Sequence, residues 1–139
     1  MAQYWIELIG CGNYSLRQIE RPYRLDDPWE ISILNIYQML RQEAQQRNRI
    51  MALVYGYYLG EIIQLSVTPR DKWKEFAREN KILNEYYFYL GATRTYQLFE
   101  KDSKRMYQTL TLTFKAISRM KKSDYRELLQ YGNSVADDE

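Results

Sequence analysis

Between Arg94 and Arg126 the chain carries nine basic residues and three acidic ones, a local charge of +6 in a protein whose net charge is +2. These are the residues whose type and spacing could do chemistry, and the chemistry would be the binding of anions. Placed on one helix at about 100° per residue, Lys101, Lys104, Gln108, Thr111, Lys115, Arg119, Lys122 and Arg126 fall on a single narrow face. Met106, Leu110, Phe114 and Ile117 fall opposite. A row of cations backed by an apolar face suits a phosphate backbone, because each Lys or Arg that meets a phosphate releases counterions. An ordinary solvated face is the plain alternative. It carries equal weight, although such faces normally interleave acidic partners one turn away.

A second group lies just upstream. Residues 69–101 have the outline of a short helix, a turn near Asn80 to Asn84, and a second helix, as in a helix-turn-helix unit whose second helix enters the major groove. On that reading Asn84, Tyr87, Thr93, Arg94 and Gln97 would face bases or phosphates, since Arg and Gln carry the donors that match guanine and adenine edges. Two packed core helices have the same outline, and the turn lacks the glycine often found in such motifs.

Other chemistries find little support. The chain has no histidine and one cysteine, Cys11. That removes the commonest general base and metal ligand, every His-based triad, and an internal disulfide framework. No metal or cofactor is expected. Asp26, Asp27 and Glu30 cluster, but helix capping accounts for Asp27 and Glu30. Gly10-Cys11-Gly12 follows an apolar stretch, yet the remaining glycine and the Lys-Ser/Thr pair of a phosphate-binding loop are missing. Fourteen tyrosines could serve core, interface or base stacking, and nothing singles one out as a nucleophile. No basic leader with an apolar core opens the sequence. A reducing cytoplasmic setting is expected.

The elements that must hold these residues centre on Ile50 to Val67, the longest nearly uninterrupted apolar run. A helix apolar on every side belongs in a core. It is just under the ~20 residues that cross a bilayer, and Glu61 and Gln64 inside it argue against a membrane. Gly56 and Gly60, on one face, predict close approach of a neighbouring helix, with a self-association face as the alternative. Glu61 is expected to point out of the core or to pair with an arginine.

Before that run, Tyr4 to Ile9 reads as a strand. Ser15 to Gln18 has the form of a capping box opening a short helix before Pro22. Asp27-Pro28-Trp29-Glu30 predicts a helix with Asp27 as cap and Pro28 in the first position, and with Trp29, Ile33, Ile36, Tyr37 and Leu40 inward. Residues 41–49 are polar and form either a helix end or a connection. Thr68-Pro69-Arg70-Asp71 repeats the start signal for a helix with Trp73, Phe76 and Ala77 inward, ending near Asn80 and Lys81. Asn84-Glu85 starts the next, over 86–101. Thr109 to Phe114 alternates strictly, a strand signal that competes with the long helix; the helix is preferred because its apolar spacing continues on both sides. A last helix should stop at Gly132.

The expected fold is mainly α: a compact bundle of about five or six helices with a short N-terminal strand. Residues 1–132 form one domain and 133–139 an acidic, disordered tail. The expected function is a small non-enzymatic nucleic-acid-binding protein, helix-turn-helix-like and regulatory, with DNA ahead of RNA. Lys101, Lys104, Lys115, Arg119, Lys122 and Arg126 would contact phosphates, and Asn84, Thr93, Arg94 and Gln97 would be the base contacts. The alternative is a protein-interaction module that offers Tyr and Trp, and a basic face, to an acidic protein partner or to a second copy of itself.

Overall fold

The computed structural model describes residues 3–9, 13–19, 21–66, 70–100 and 113–138, and of 3–9, 13–19 and 131–138 the backbone alone. The protein is mainly α, with six helices among the described residues: α1 (Trp29–Gln45), α2 (Arg49–Leu65), α3 (Arg70–Glu79), α4 (Glu85–Phe99), α5 (Phe114–Arg119) and α6 (Lys122–Asp138). Strands β1 (Gln3–Ile9) and β2 (Asn13–Ile19) pair antiparallel, with Gln3 opposite Ile19 and Ile9 opposite Asn13. Lys101 and Lys104, the acidic residue Glu139 and most of the alternating stretch lie outside the described residues.

α2 is the hub. It packs most closely on α4 and α1 and also touches α5. Leu53, Val54 and Leu59 are fully buried on it, and side chains of this kind each contribute about 1.5–3 kcal/mol when removed from water. Its N-terminus is capped by Asn48, whose Oδ1 accepts from the Met51 amide at 3.2 Å. Gly60 lets α4 approach: a Cβ there would fall on the Ala92 carbonyl oxygen and 2.7 Å from the Tyr96 Cβ. Gly56 on α2 and Gly91 on α4 admit the Phe114 ring between the two helices, since Cβ atoms at these positions would lie 2.6 and 2.5 Å from ring carbons. The glycines therefore act in helix contact within the chain, and Gly91 sits inside a continuous helix.

Two helix ends share one device. After α1, the Arg47 amide donates to Ala44 O and the Asn48 amide to Glu43 O. After α3, Lys81 donates to Arg78 O and Ile82 to Ala77 O. These are paired 5→2 and 6→1 bonds closing on a left-handed residue. Arg47 and Lys81 occupy that residue, with φ of 59° and 56°. The polar 41–49 stretch is thus both a helix end and a tight connection.

Two start signals work differently from the sequence expectation: Ser15 to Gln18 lies in β2 rather than opening a helix, and Asp27 does not cap α1. α1 begins at Trp29 with Pro28 as its N-cap and no side-chain cap. The Pro28 carbonyl accepts the Ser32 amide, which moves Asp27 one residue too far out to cap. The inward face of α1, Ile33, Ile36, Tyr37 and Leu40, is buried as the spacing implies. Asn84 precedes α4 in the left-handed region, with φ 54°, so its side chain does not cap the helix. The expected continuous helix through residue 126 is broken twice. Thr113 is extended and caps α5 through Oγ1, which accepts from the Ala116 amide at 3.0 Å. Met120 is extended between α5 and α6. Gly132 does not stop α6, which is continuous to Asp138; a glycine costs a helix interior about 1 kcal/mol without ending it.

Candidate polyanion-binding surface

α5 is only six residues long, yet it positions most of the candidate site. Phe114, Ile117 and Ser118 face inward, leaving Lys115 and Arg119, one turn apart, exposed. On α6, Tyr125 is buried while Lys122 and Arg126, again one turn apart, are exposed. The break at Met120 is held from α4: Arg94 Nη1 donates to Ile117 O and to Met120 O, both at 2.9 Å. A guanidinium on the last carbonyls of a helix supplies donors where the helix has few of its own; here it adds a second donor to Ile117 O, which also accepts the Met120 amide at 3.4 Å. The same guanidinium lies 4.8 Å from the Tyr125 ring centroid, and the Tyr125 hydroxyl donates to Gln97 Oε1. α4, α5 and α6 are thereby locked together.

Two clefts flank α5. The first, about 570 Å³, lies between the α1–α2 connection, the start of α4 and α5. Leu40, Ala52, Phe88 and Phe114 supply its apolar surface, and Arg41, Arg47, Arg49, Lys115 and Arg119 its charge. The second, about 660 Å³, lies between α4 and α5–α6, with Arg94, Arg119, Lys122 and Arg126 on its walls. Tyr87, Ser118 and Arg119 belong to both. The Arg119 guanidinium stacks 4.6 Å from the Tyr87 ring centroid, forming the divide. Among the described residues, eight arginines and lysines line the two clefts and no carboxylate does. Walls of one sign focus the field and raise the local concentration of the opposite charge.

Of the expected phosphate contacts, Lys115, Arg119, Lys122 and Arg126 all fall on this surface, although on two helices rather than one. Of the expected base contacts, Asn84 lines the first cleft, and Arg94 and Gln97 line the second. Arg94 and Gln97 are engaged in holding α5 and Tyr125. The Thr93 hydroxyl donates to Tyr89 O at 2.8 Å within its own helix. α4 as a whole is flanked by α2 and α5, with Gly91, Ala92, Thr95, Leu98 and Phe99 buried. Arg41, Arg47 and Arg49 were not singled out by the sequence reading. Their only signal was three arginines against one glutamate in residues 41–49, and nothing local says that this connection lies beside α5.

Two further ion pairs are partly buried. Glu61, buried on α2, accepts from Arg21 Nε at 2.6 Å and from the Tyr23 hydroxyl at 2.5 Å, the arginine pairing expected of it. Its carboxylate holds the Arg21 guanidinium above its ordinary pKa. Burial, reinforced by the bond to Glu61, pushes the Tyr23 phenol well up. Arg70 pairs with Glu85 through Nη1 and Nη2 at 2.8 and 3.1 Å, and Trp73 Nε1 donates to Glu85 O at 3.0 Å, fastening α3 to the start of α4. No group of three metal-ligating side chains occurs among the described residues. None of the described helices is long and apolar enough to cross a membrane.

No family model, curated protein or solved structure matches this chain.

Proposed function

We propose that this protein is a small, non-enzymatic nucleic-acid-binding protein that holds phosphates along the two clefts beside α5. The observation that carries the reading is the segregation of charge. The chain contains nearly as many acidic residues as basic ones, 18 against 20, yet the described lining of both clefts is basic only. Composition alone would mix the signs. Tyr86 and Tyr87 stay 51% and 38% exposed beside this surface, offering ring faces on which bases can stack at about 1–3 kcal/mol each. Phosphate contact explains the surface better than insertion of α4 into a groove, because α4 is a core helix.

The test is fluorescence anisotropy of labelled duplex DNA, single-stranded DNA and RNA, with a Lys115→Glu/Arg119→Glu/Lys122→Glu variant alongside. The expected result is a loss of tenfold or more in affinity for every polyanion bound by the wild type, with unchanged helical content. Undiminished binding by the folded variant, or failure of the wild type to bind any of the three, overturns the reading. In the second case an acidic protein partner takes its place.

A further inference from the structure

We infer that the first cleft is a seat for one unpaired nucleotide, its base against the apolar surface and its phosphate on the arginine rim. This rests on the nucleic-acid reading and names the form of nucleic acid that it takes.

The two halves of the cleft ask for different chemistry in one ligand. Phe88, half-buried, is the open ring of its apolar side, while Leu40, Ala52 and Phe114 behind it are nearly closed off, 2 to 8% exposed. Arg41, Arg47 and Arg119 stand around it. A free inorganic anion would leave the apolar surface wet, and an uncharged apolar ligand would leave the arginines unused. A nucleotide carries a flat aromatic group and a phosphate on one small frame. About 570 Å³ of space admits one such unit. Tyr87 adds a ring with one face covered by the Arg119 guanidinium, and base stacking on aromatic or guanidinium planes is the usual way unpaired bases are held. A paired base is stacked within its duplex and reaches such a surface only after extrusion, at a cost of a few kcal/mol.

Three non-glycine residues have positive φ among the described residues, and two of them, Arg47 and Asn84, line this cleft. Glycine is the usual occupant of the Arg47 position, since a side chain in the left-handed region costs about 1–2 kcal/mol. The conformation belongs to the helix-end device that Lys81 shares away from this cleft, so Arg47→Gly removes the guanidinium without disturbing the fold.

The test compares affinities for a single-stranded oligonucleotide, the matching duplex and a free nucleoside monophosphate. It uses wild type, Ala44→Trp and Arg47→Gly. Ala44 is exposed and lines the cleft, so tryptophan there fills the space without altering any charge. Arg47→Gly removes the guanidinium and relieves the backbone. The expected result is at least a tenfold preference of wild type for the single strand over the duplex. Ala44→Trp should bring single-strand affinity down to that of the duplex. Arg47→Gly should weaken the single strand at least fivefold while its Tm is equal to or above that of wild type. Equal wild-type affinity for single strand and duplex overturns the inference and leaves the phosphate-binding reading standing. So does a single-strand preference untouched by Ala44→Trp. Binding of the free nucleotide, sensitive to Ala44→Trp, without any oligonucleotide binding supports the seat and overturns the nucleic-acid reading. No binding of any of the three overturns both.

Discussion

Single residues show how charge and conformation are separated in this fold. Lys81 and Arg47 stand at equivalent positions after α3 and α1, both in the left-handed region, but of the two Arg47 alone lines either cleft beside α5. Lys81→Gly should therefore raise stability by up to about 1 kcal/mol through relief of backbone strain, with polyanion affinity unchanged. Urea unfolding and anisotropy on one sample check both halves. Arg21 and Glu61 behave differently, because their side chains are 20% and 7% exposed. Arg21→Ala strands the more deeply buried partner and is expected to cost about 3 kcal/mol, more than Glu61→Gln, by the logic of uncompensated buried charge. Tyr125 links stability to pH. Burial pushes its phenol up to about 12, against the lowering effect of Arg94. A folded-state pKa above the unfolded value near 10 means that the stabilisation is complete below pH 10 and is lost as pH rises toward 12. Urea midpoints should fall across that window in wild type, and more shallowly in Tyr125→Phe. At this scale the sequence disclosed identities and exposures well: Lys115, Arg119, Lys122 and Arg126 are exposed, and Phe114 and Ile117 are buried. The partners of Arg94 and Gln97 were hidden, because the groups they hold lie 23 to 31 positions further along the chain.

Among the elements, the α2–α4 contact sets the architecture. Gly60 faces backbone, the Ala92 carbonyl, whereas Gly56 faces the Phe114 ring. Backbone cannot swing aside, so Gly60→Ala should cost more than Gly56→Ala. Overpacking of this kind typically costs about 1–3 kcal/mol, and Gly60→Ala belongs at or above the upper end. Thermal unfolding of the two variants gives the order directly. The central apolar helix, the inward face of α1 and the Trp73, Phe76 and Ala77 face of α3 were legible because hydrophobic spacing records burial. The break of the basic helix was not. Spacing continues across Met120, and the break depends on a guanidinium donated from α4. The Asp27 cap was misplaced for a similar reason: its residue pattern fits a cap, but the chain enters the helix one residue later, at Pro28.

Across the whole molecule, six helices gather arginines and lysines from the α1–α2 connection, α4, α5 and α6 onto one side. Half of this surface could be read from the basic run near the C-terminus. The other half came from residues 41–49, which are remote in sequence and adjoin α5 only once α1 and α2 fold back on each other. A surface of this kind should act through counterion release, and the most direct test is the salt dependence of wild-type affinity. Log Kd for a short single strand, the form the first cleft favours, would be followed by anisotropy from about 50 to 200 mM salt, where four to six neutralised phosphates give a slope of about 2.8–4.2 against log salt. A slope in that range, falling by at least two with the Lys115→Glu/Arg119→Glu/Lys122→Glu variant, is the expected result. A slope near zero, or binding absent throughout the series, would contradict the account.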